Sequence, residues 1–223
     1  MKARYDDIDE YIADLRATIA RGGNCAIHQY NLGAAMLAKR DFAAAEEAFL
    51  DALRASPRLA EAYVQLGGIC LQRGDLEGCL RYNEEAAQCR AKFPAPWANI
   101  GFVHLQRGEP EKAVPALKKA LKWNPRFVQA LASLASAYIM LGDCDSSIAA
   151  GEEALTLEPD FGPALNNLAL AWLEKGDGEK ALAYAECALA SGYEAPPEFL
   201  REIERWCGDQ AGAERGSEKK SCR

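Results

Sequence analysis

The sequence predicts an all-α fold, a solenoid built from antiparallel helix hairpins. Two observations predict it: a residue pattern that recurs every 34 positions, and a composition in which alanine is abundant while valine and isoleucine are sparse. Alanine is the strongest helix former, whereas β-branched residues favour strands. A period of this length is typical of stacked helical repeats, in which each repeat buries its apolar face against its neighbours.

The period defines five repeats without any insertion or deletion. They span residues 26–59, 60–93, 94–127, 128–161 and 162–195. Position 8 of every repeat is glycine or alanine, and position 27 is always alanine. Small residues allow neighbouring helices to approach closely, so we expect these positions in the core. The alanines at position 27 are Ala52, Ala86, Ala120, Ala154 and Ala188.

Each repeat carries a turn signal between its two helices. A glycine that can adopt a left-handed backbone ends the first helix in four repeats, at Gly74, Gly108, Gly142 and Gly176. An aspartate suited to cap the second helix follows at Asp41, Asp75, Asp143 and Asp177. Arg40 stands at the turn position of the first repeat, and Glu109 replaces the aspartate of the third.

These features closely resemble the tetratricopeptide repeat (TPR) family, whose pattern is a large residue, Leu-Gly, an aromatic residue, then Ala, Phe, Ala and Pro at these spacings. The resemblance covers residues 26–195. It implies a right-handed TPR superhelix, an α-solenoid of antiparallel helix hairpins. The sequence departs from the pattern at several positions; Asn83 and Gly151, for example, occupy position 24, which is usually aromatic.

The segments outside the five repeats are expected to close the array. Residues 7–21 align with the second half of a repeat, which predicts an N-terminal capping helix within residues 1–25. Residues 196–207 place Phe199 and Trp206 on one helical face and predict a C-terminal capping helix. Residues 208–223 are small and polar, which predicts a disordered tail.

In the resembling family the first helices of the repeats line a concave groove. Position 6, which points into that groove, carries uncharged hydrogen-bonding residues here: Asn31, Gln65, Asn99, Ser133 and Asn167. An amide offers both donor and acceptor groups, so the row predicts binding of an extended peptide backbone. The row is similar to the asparagine ladder in the repeat domain of the O-linked N-acetylglucosamine transferases, which grips peptide backbones. The alternative is that these residues only keep an exposed face polar.

Neighbouring inner positions add apolar surface to this predicted groove. They include Tyr30, Val64 and Asn166 at position 5 and Phe102 at position 9. The lysines and arginines with which some family members clamp the C-terminal carboxylate of heat-shock chaperones are missing. We therefore expect tolerant recognition of an extended segment or helix, anchored by Tyr30 and Phe102. Replacing Asn99 and Asn167 by alanine is expected to weaken that binding without unfolding the protein.

Composition argues against several other functions. The formal net charge is −7 and no basic stripe is present, so we expect no nucleic-acid partner. No apolar run approaches membrane-spanning length, so we expect no membrane partner. The eight cysteines form no CxxC pair and fit reduced thiols in the cytoplasm. A row of Lys and Arg at position 14, comprising Lys39, Arg73, Arg107 and Lys175, fits helix ends better than a binding rim.

The residues also offer no catalytic constellation. With two histidines, no nucleophile beside them and no phosphate-binding loop, we predict that the protein is not an enzyme and needs no cofactor or metal. The predicted function is a non-enzymatic protein–protein interaction module, an adaptor or assembly factor (chaperone) for a protein or peptide partner. Two alternatives stay open: a self-assembling homo-oligomeric scaffold, and a sensor that binds a small ligand or metal through Cys70, Cys79 and Cys89.

Overall fold

The computed structural model describes residues 7–22, 25–193 and Arg201, and this part of the chain contains eleven α-helices and no strand. The helices are α1 (Ile8–Ala20), α2 (Ala26–Ala38), α3 (Phe42–Ala55), α4 (Ala60–Gln72), α5 (Leu76–Cys89), α6 (Pro94–Gln106), α7 (Pro110–Trp123), α8 (Val128–Met140), α9 (Cys144–Leu157), α10 (Gly162–Glu174) and α11 (Gly178–Ala190). The predicted all-α class is confirmed. Arg201 is helical, but the rest of the predicted helix 196–207 and the predicted tail 208–223 lie outside the described residues.

The chain divides into two compact units, residues 1–103 and 104–223, with the division inside α6. In the first unit α2 packs on α3, and α4 packs on α5. In the second unit α8 packs on α9, and α10 packs on both α9 and α11. The helices α2, α4, α6, α8 and α10 all begin at position 1 of their predicted repeats. The sequence period therefore coincides with the period of the helices.

The turns between paired helices have the predicted backbone. Four glycines adopt a left-handed conformation with φ between 70° and 78°: Gly74, Gly108, Gly142 and Gly176. Arg40, which stands at the same position of the first repeat, also has a positive φ of 60°. A residue with a Cβ is strained in this region, at a cost of roughly 1–2 kcal/mol. The first hairpin therefore turns like the others, but with a less suitable residue.

Aspartate caps begin the second helices as predicted. The side chains of Asp41, Asp75, Asp143 and Asp177 each accept a hydrogen bond from the backbone N–H three residues later. Glu109 makes no such bond to the backbone of α7. Its carboxylate instead accepts from Lys112 Nζ at 3.0 Å and lies 2.8 Å from His104 Nδ1, and these two contacts lower the pKa of Glu109. The ring nitrogen Nδ1 of His104 thus has a hydrogen-bond partner, Glu109, within the second unit.

Small residues at the predicted core positions are required by close packing. A Cβ added to Gly33 would lie 2.7 Å from the ring of Phe49, which is fully buried in the core of the first unit. Gly151, which stands at the usually aromatic position 24 of the fourth repeat, has a similar cause. A Cβ there would lie 2.9 Å from Cγ of Leu168, a fully buried residue of the next repeat. A larger side chain at position 24 of the fourth repeat would therefore overlap with Leu168.

Candidate functional site

Positions 5, 6 and 9 of the first helices are here called the inner face, and each compact unit is described by itself. In the first unit the inner face begins with Tyr30 and Asn31 on α2 and with Val64 and Gln65 on α4, all of them half-buried. The ring of Tyr30 packs on that of Phe49 with centroids 5.5 Å apart. Both polar side chains at position 6 therefore retain access to solvent beside apolar neighbours.

The inner face of α4 is unusually open at Gly68. This glycine lies at position 9 and is exposed. Apart from its own helix backbone, no described atom lies within 4 Å of the place a Cβ would take. Its φ is not positive, so the backbone does not require glycine either. Glycine inside a helix costs about 0.5–1 kcal/mol relative to alanine. The fold gives no reason for that cost, whereas the close approach of another backbone would.

On α6 the predicted residues Asn99 and Phe102 differ in their surroundings. Phe102 is 36% exposed, as an apolar anchor requires. The amide of Asn99 donates from Nδ2 to Asn83 Oδ1 at 2.9 Å. Asn83 is fully buried and donates in turn to the carbonyl oxygen of Cys79 at 2.8 Å. Asn83, at the usually aromatic position 24, is therefore a buried amide that holds the inner-face amide of Asn99 in place.

In the second compact unit the inner face is less accessible. Ser133 on α8 is half-buried, but Asn166 and Asn167 on α10 are each only 8% exposed. Asn167 donates from Nδ2 to the carbonyl oxygen of Ala132 at 2.8 Å, which ties α10 to α8. Asn166 Oδ1 is buried and accepts no hydrogen bond from any described residue. The predicted row is thus half-buried on α2 and α4 and largely enclosed on α10.

These contacts bear on the expectations for two of the predicted residues. Asn99 and Asn167 were expected to be replaceable by alanine without unfolding the protein, and both amides form hydrogen bonds within the fold. Removing them therefore also perturbs packing between helices. The peptide-binding role assigned to the inner-face residues stays a prediction. Gly68 stands at inner position 9 of the second repeat but was not among the predicted site residues; its signal in the sequence is a second glycine following the Leu-Gly of the repeat pattern.

Three of the Lys and Arg residues at position 14 form ion pairs with neighbouring helices. Arg73 Nη1 lies 2.6 Å from Glu46 Oε2 on α3. Lys39 pairs with Asp9 on α1, and Lys175 pairs with Asp145 on α9. Each pair joins the end of a first helix to the second helix before it. These cations therefore link neighbouring elements, although exposed ion pairs contribute only a little stability each.

Of the three cysteines considered for a sensor, Cys70 and Cys79 are buried and Cys89 is half-buried. Cys70 and Cys79 pack in one cluster with Val103. Burial raises the pKa of Cys79 to about 11, and burial together with the Asp75 carboxylate raises the pKa of Cys70. Thiolate, the form that binds metals and attacks electrophiles, is disfavoured at both positions. Among the residues whose placement is described, no three His, Cys, Asp or Glu side chains lie together as a metal site needs.

Comparison with known proteins identifies the family. The model described as Tetratricopeptide repeat matches residues 7–60, 30–92, 100–161 and 141–196. The chain belongs to the tetratricopeptide repeat family. TPR proteins are in general protein-interaction modules without catalysis, and the fold implies protein partners. A search of curated proteins gave no match.

Several solved TPR structures share the fold at low sequence identity. YrrB, described as a TPR protein with an unusual peptide-binding site, is 17% identical with a TM-score of 0.68, covering 86% of this chain and 97% of YrrB. PilW, a type IV pilus biogenesis factor, is 18% identical with a TM-score of 0.73, covering 88% and 93%. The thermophilic TPR protein TTC0263 of Thermus thermophilus is 24% identical with a TM-score of 0.60, covering 82% and 97%. At these identities the likeness shows the fold alone.

Across the described TPR helices, none has both the length and the apolar character that a bilayer crossing demands.

Proposed function

We propose that this TPR protein is a non-enzymatic adaptor or assembly factor that binds an extended peptide segment, or a helix, of a partner protein along the inner faces of its first helices. The observation that carries the proposal is the inner face of the first compact unit. There the half-buried amides Asn31 and Gln65 lie on successive first helices, beside the exposed backbone at Gly68.

The chemistry of this face suits a peptide backbone. Each amide side chain can donate and accept, as the N–H and C=O groups of an extended peptide require. Gly68 leaves room for a main chain to approach α4, and Phe102 and Tyr30 offer apolar surface for its side chains. The likeness of YrrB, whose description names a peptide-binding site, supports this proposal. The proposal also places the protein in the cytoplasm, where free thiols such as Cys70 and Cys79 persist.

Photo-crosslinking tests the proposal directly. A benzoylphenylalanine introduced in place of Phe102 should crosslink a partner in cells, because that side chain already projects from the inner face. The same residue in place of Glu84, which is exposed on the second helix α5 of the same compact unit, is the matched control and should give no such product. The crosslinked peptide, identified by mass spectrometry, is then synthesised.

Titration with that synthetic peptide completes the test. The double variant Asn31→Ala and Gln65→Ala should bind it about tenfold more weakly or worse, because each lost hydrogen bond is worth about 0.5–1.5 kcal/mol. The unfolding midpoint should stay unchanged, since both side chains are only half-buried. Equal affinity of the double variant and the natural chain, or equal crosslinking from both positions, would refute the proposal.

A further inference from the structure

A cavity of about 310 Å³ lies in the second compact unit, bounded by the end of α7, by α8 and by α9. Its buried wall is apolar and includes Leu131, Leu134 and Ala150. The half-buried Tyr138 also lines it, and Glu153 is exposed at its mouth. The α8 residues that line the cavity stand at positions 4, 7 and 11, whereas the inner face uses positions 5, 6 and 9. The cavity is therefore separate from the face to which peptide binding is assigned above.

Comparison with the repeat 60–93 indicates what this space could hold. In the repeat 60–93 the positions of Leu131 and Ala150 are occupied by Tyr63 and Tyr82. The two tyrosine rings pack together with centroids 6.3 Å apart, and Tyr63 Oη donates to the carbonyl oxygen of Pro57 at 3.4 Å. The repeat 128–161 has no ring at either of these two positions, although it carries Tyr138 where the repeat 60–93 has Cys70. The cavity that remains beside Ala150 has room for a ring supplied from outside.

The charged residues beside Tyr82 and those beside Ala150 also differ between the two repeats. In the repeat 60–93, Arg81 places its guanidinium 5.2 Å from the centroid of the Tyr82 ring, and Glu85 follows one helical turn later. In the repeat 128–161 the arginine is replaced by the exposed Ala149, but the carboxylate is retained as Glu153. Within the described part of the chain, Glu153 forms no ion pair. The mouth of the cavity therefore keeps the carboxylate but lacks the arginine that stands one helical turn before it in the repeat 60–93.

We propose that this cavity binds an aromatic side chain of a partner protein, with an adjacent lysine or arginine of the partner facing Glu153. The ring would take the place that Tyr82 holds in the repeat 60–93, and the cation would take the place of Arg81. The volume is at the lower end of the ~300–1,000 Å³ typical of ligand pockets, which suits one ring better than a large ligand. Aromatic residues seated in apolar pockets are the commonest anchors of protein interfaces.

Lys118 adds a second feature to the cavity. Its Nζ lies 5.7 Å from the centroid of the Tyr138 ring, so one ring that lines the cavity already carries a cation. The carboxylate of Glu153, which stands on α9, is the group left to receive the partner's positive charge. The proposal therefore predicts that the preference for a positively charged partner residue depends on Glu153. It also predicts that binding of the partner's aromatic ring depends on the small side chain of Ala150.

The test uses the full chain and three capped tetrapeptides, Gly-Arg-Tyr-Gly, Gly-Gln-Tyr-Gly and Gly-Arg-Ala-Gly, titrated into ¹⁵N-labelled protein. Both tyrosine peptides should shift the backbone amide signals of Leu134 and Ala150 in a saturable way, and the alanine peptide should not. Ala150→Tyr should weaken binding of the tyrosine peptides by about tenfold or more, because the new ring fills the cavity. Tyrosine stands at the same repeat position in Tyr82 and Tyr184, so this variant has a precedent within the chain.

Two further variants make the test specific. Ala43→Tyr adds the same ring at an exposed site on α3 and should leave binding unchanged. Glu153→Gln should weaken the arginine–tyrosine peptide by about two- to fivefold and leave the glutamine–tyrosine peptide unaffected. Binding that survives Ala150→Tyr, equal loss with Ala43→Tyr, or shifts confined to α2 and α4 would overturn the proposal. The last of these outcomes would assign the peptide to the inner face instead.

Discussion

Two adjacent glycines in α4 should respond to the same substitution in opposite directions. A Cβ added to Gly67 would lie 2.4 Å from the amide nitrogen of Asn83, whereas a Cβ added to Gly68 would contact nothing within 4 Å. Both residues lie inside the same helix and neither has a positive φ. Replacement by alanine therefore changes helix propensity equally at the two positions and changes packing at only one.

The magnitudes follow from these contacts. Alanine in place of a glycine inside a helix stabilises by about 0.5–1 kcal/mol, so Gly68→Ala should raise the free energy of unfolding by that amount. At Gly67 the same gain is opposed by displacement of Asn83, which is fully buried and bonded to both Cys79 and Asn99. Overpacking and disrupted buried hydrogen bonds each cost about 1–3 kcal/mol. The net effect of Gly67→Ala should therefore be to lower the free energy of unfolding by at least about 1 kcal/mol.

Urea denaturation followed by far-ultraviolet circular dichroism measures both changes under identical conditions. The midpoint of Gly68→Ala should move to higher urea and that of Gly67→Ala to lower urea. If both variants are stabilised alike, the close packing of Asn83 against Gly67 is incorrect. If Gly68→Ala is destabilised, the inner face at this glycine is not the open surface on which the peptide-binding proposal depends.

Four other measurements examine single features of the structure. Arg40→Gly should raise the free energy of unfolding by about 1 kcal/mol in the same urea assay, because Arg40 has a φ of 60°, while Arg40→Lys should change it little. Asn167→Ala should lower the thermal midpoint and cost about 1 kcal/mol, because it removes a buried hydrogen bond, whereas the half-buried Asn31→Ala should stay within about 0.5 kcal/mol. Since the pKa of Cys79 is raised to about 11, the unfolded thiol ionises first as the pH rises from about 8 to about 11. Stability should fall over that range by on the order of 2 kcal/mol more in the natural chain than in Cys79→Ala, compared by urea midpoints. The exposed thiol of Cys25 should react with a maleimide well before that of Cys79, as peptide mass spectrometry of a timed reaction will show.

The sequence was sufficient for features that depend on residues close together in the chain. The positive φ at Gly74 and the cap at Asp75 each involve a few consecutive residues, so the repeat pattern specifies them completely. The packing of Gly33 under Phe49 also follows, because both lie in one hairpin with a fixed spacing. The unsuitable turn residue Arg40 was recognisable for the same reason.

Features that join different repeats could not be predicted in this way. The hydrogen bond from Asn167 to Ala132 and the ion pair of Arg73 with Glu46 depend on the separation of helices about one repeat apart in the chain. Sequence marks such residues as polar and says nothing of their partners. The cavity beside Ala150 had a visible signal, the loss of two rings relative to the repeat 60–93. Whether neighbouring side chains would collapse into that space is decided only by their packing.

The internal hydrogen bond of Asn99 has a consequence for ligand binding on the inner face. Its amide is held by Asn83, yet the residue remains half-buried, so its remaining donor and acceptor positions have a fixed orientation. A bound peptide would not have to order this side chain, which otherwise costs about 0.5–1.5 kcal/mol for each side chain immobilised. Asn167 is held in a similar way but is only 8% exposed, which leaves little of it to meet a ligand. Asn99 is therefore both held in a fixed orientation and accessible to a ligand, whereas Asn167 is held in a fixed orientation but is not accessible. We accordingly expect the first compact unit to supply most of the binding free energy for a partner peptide.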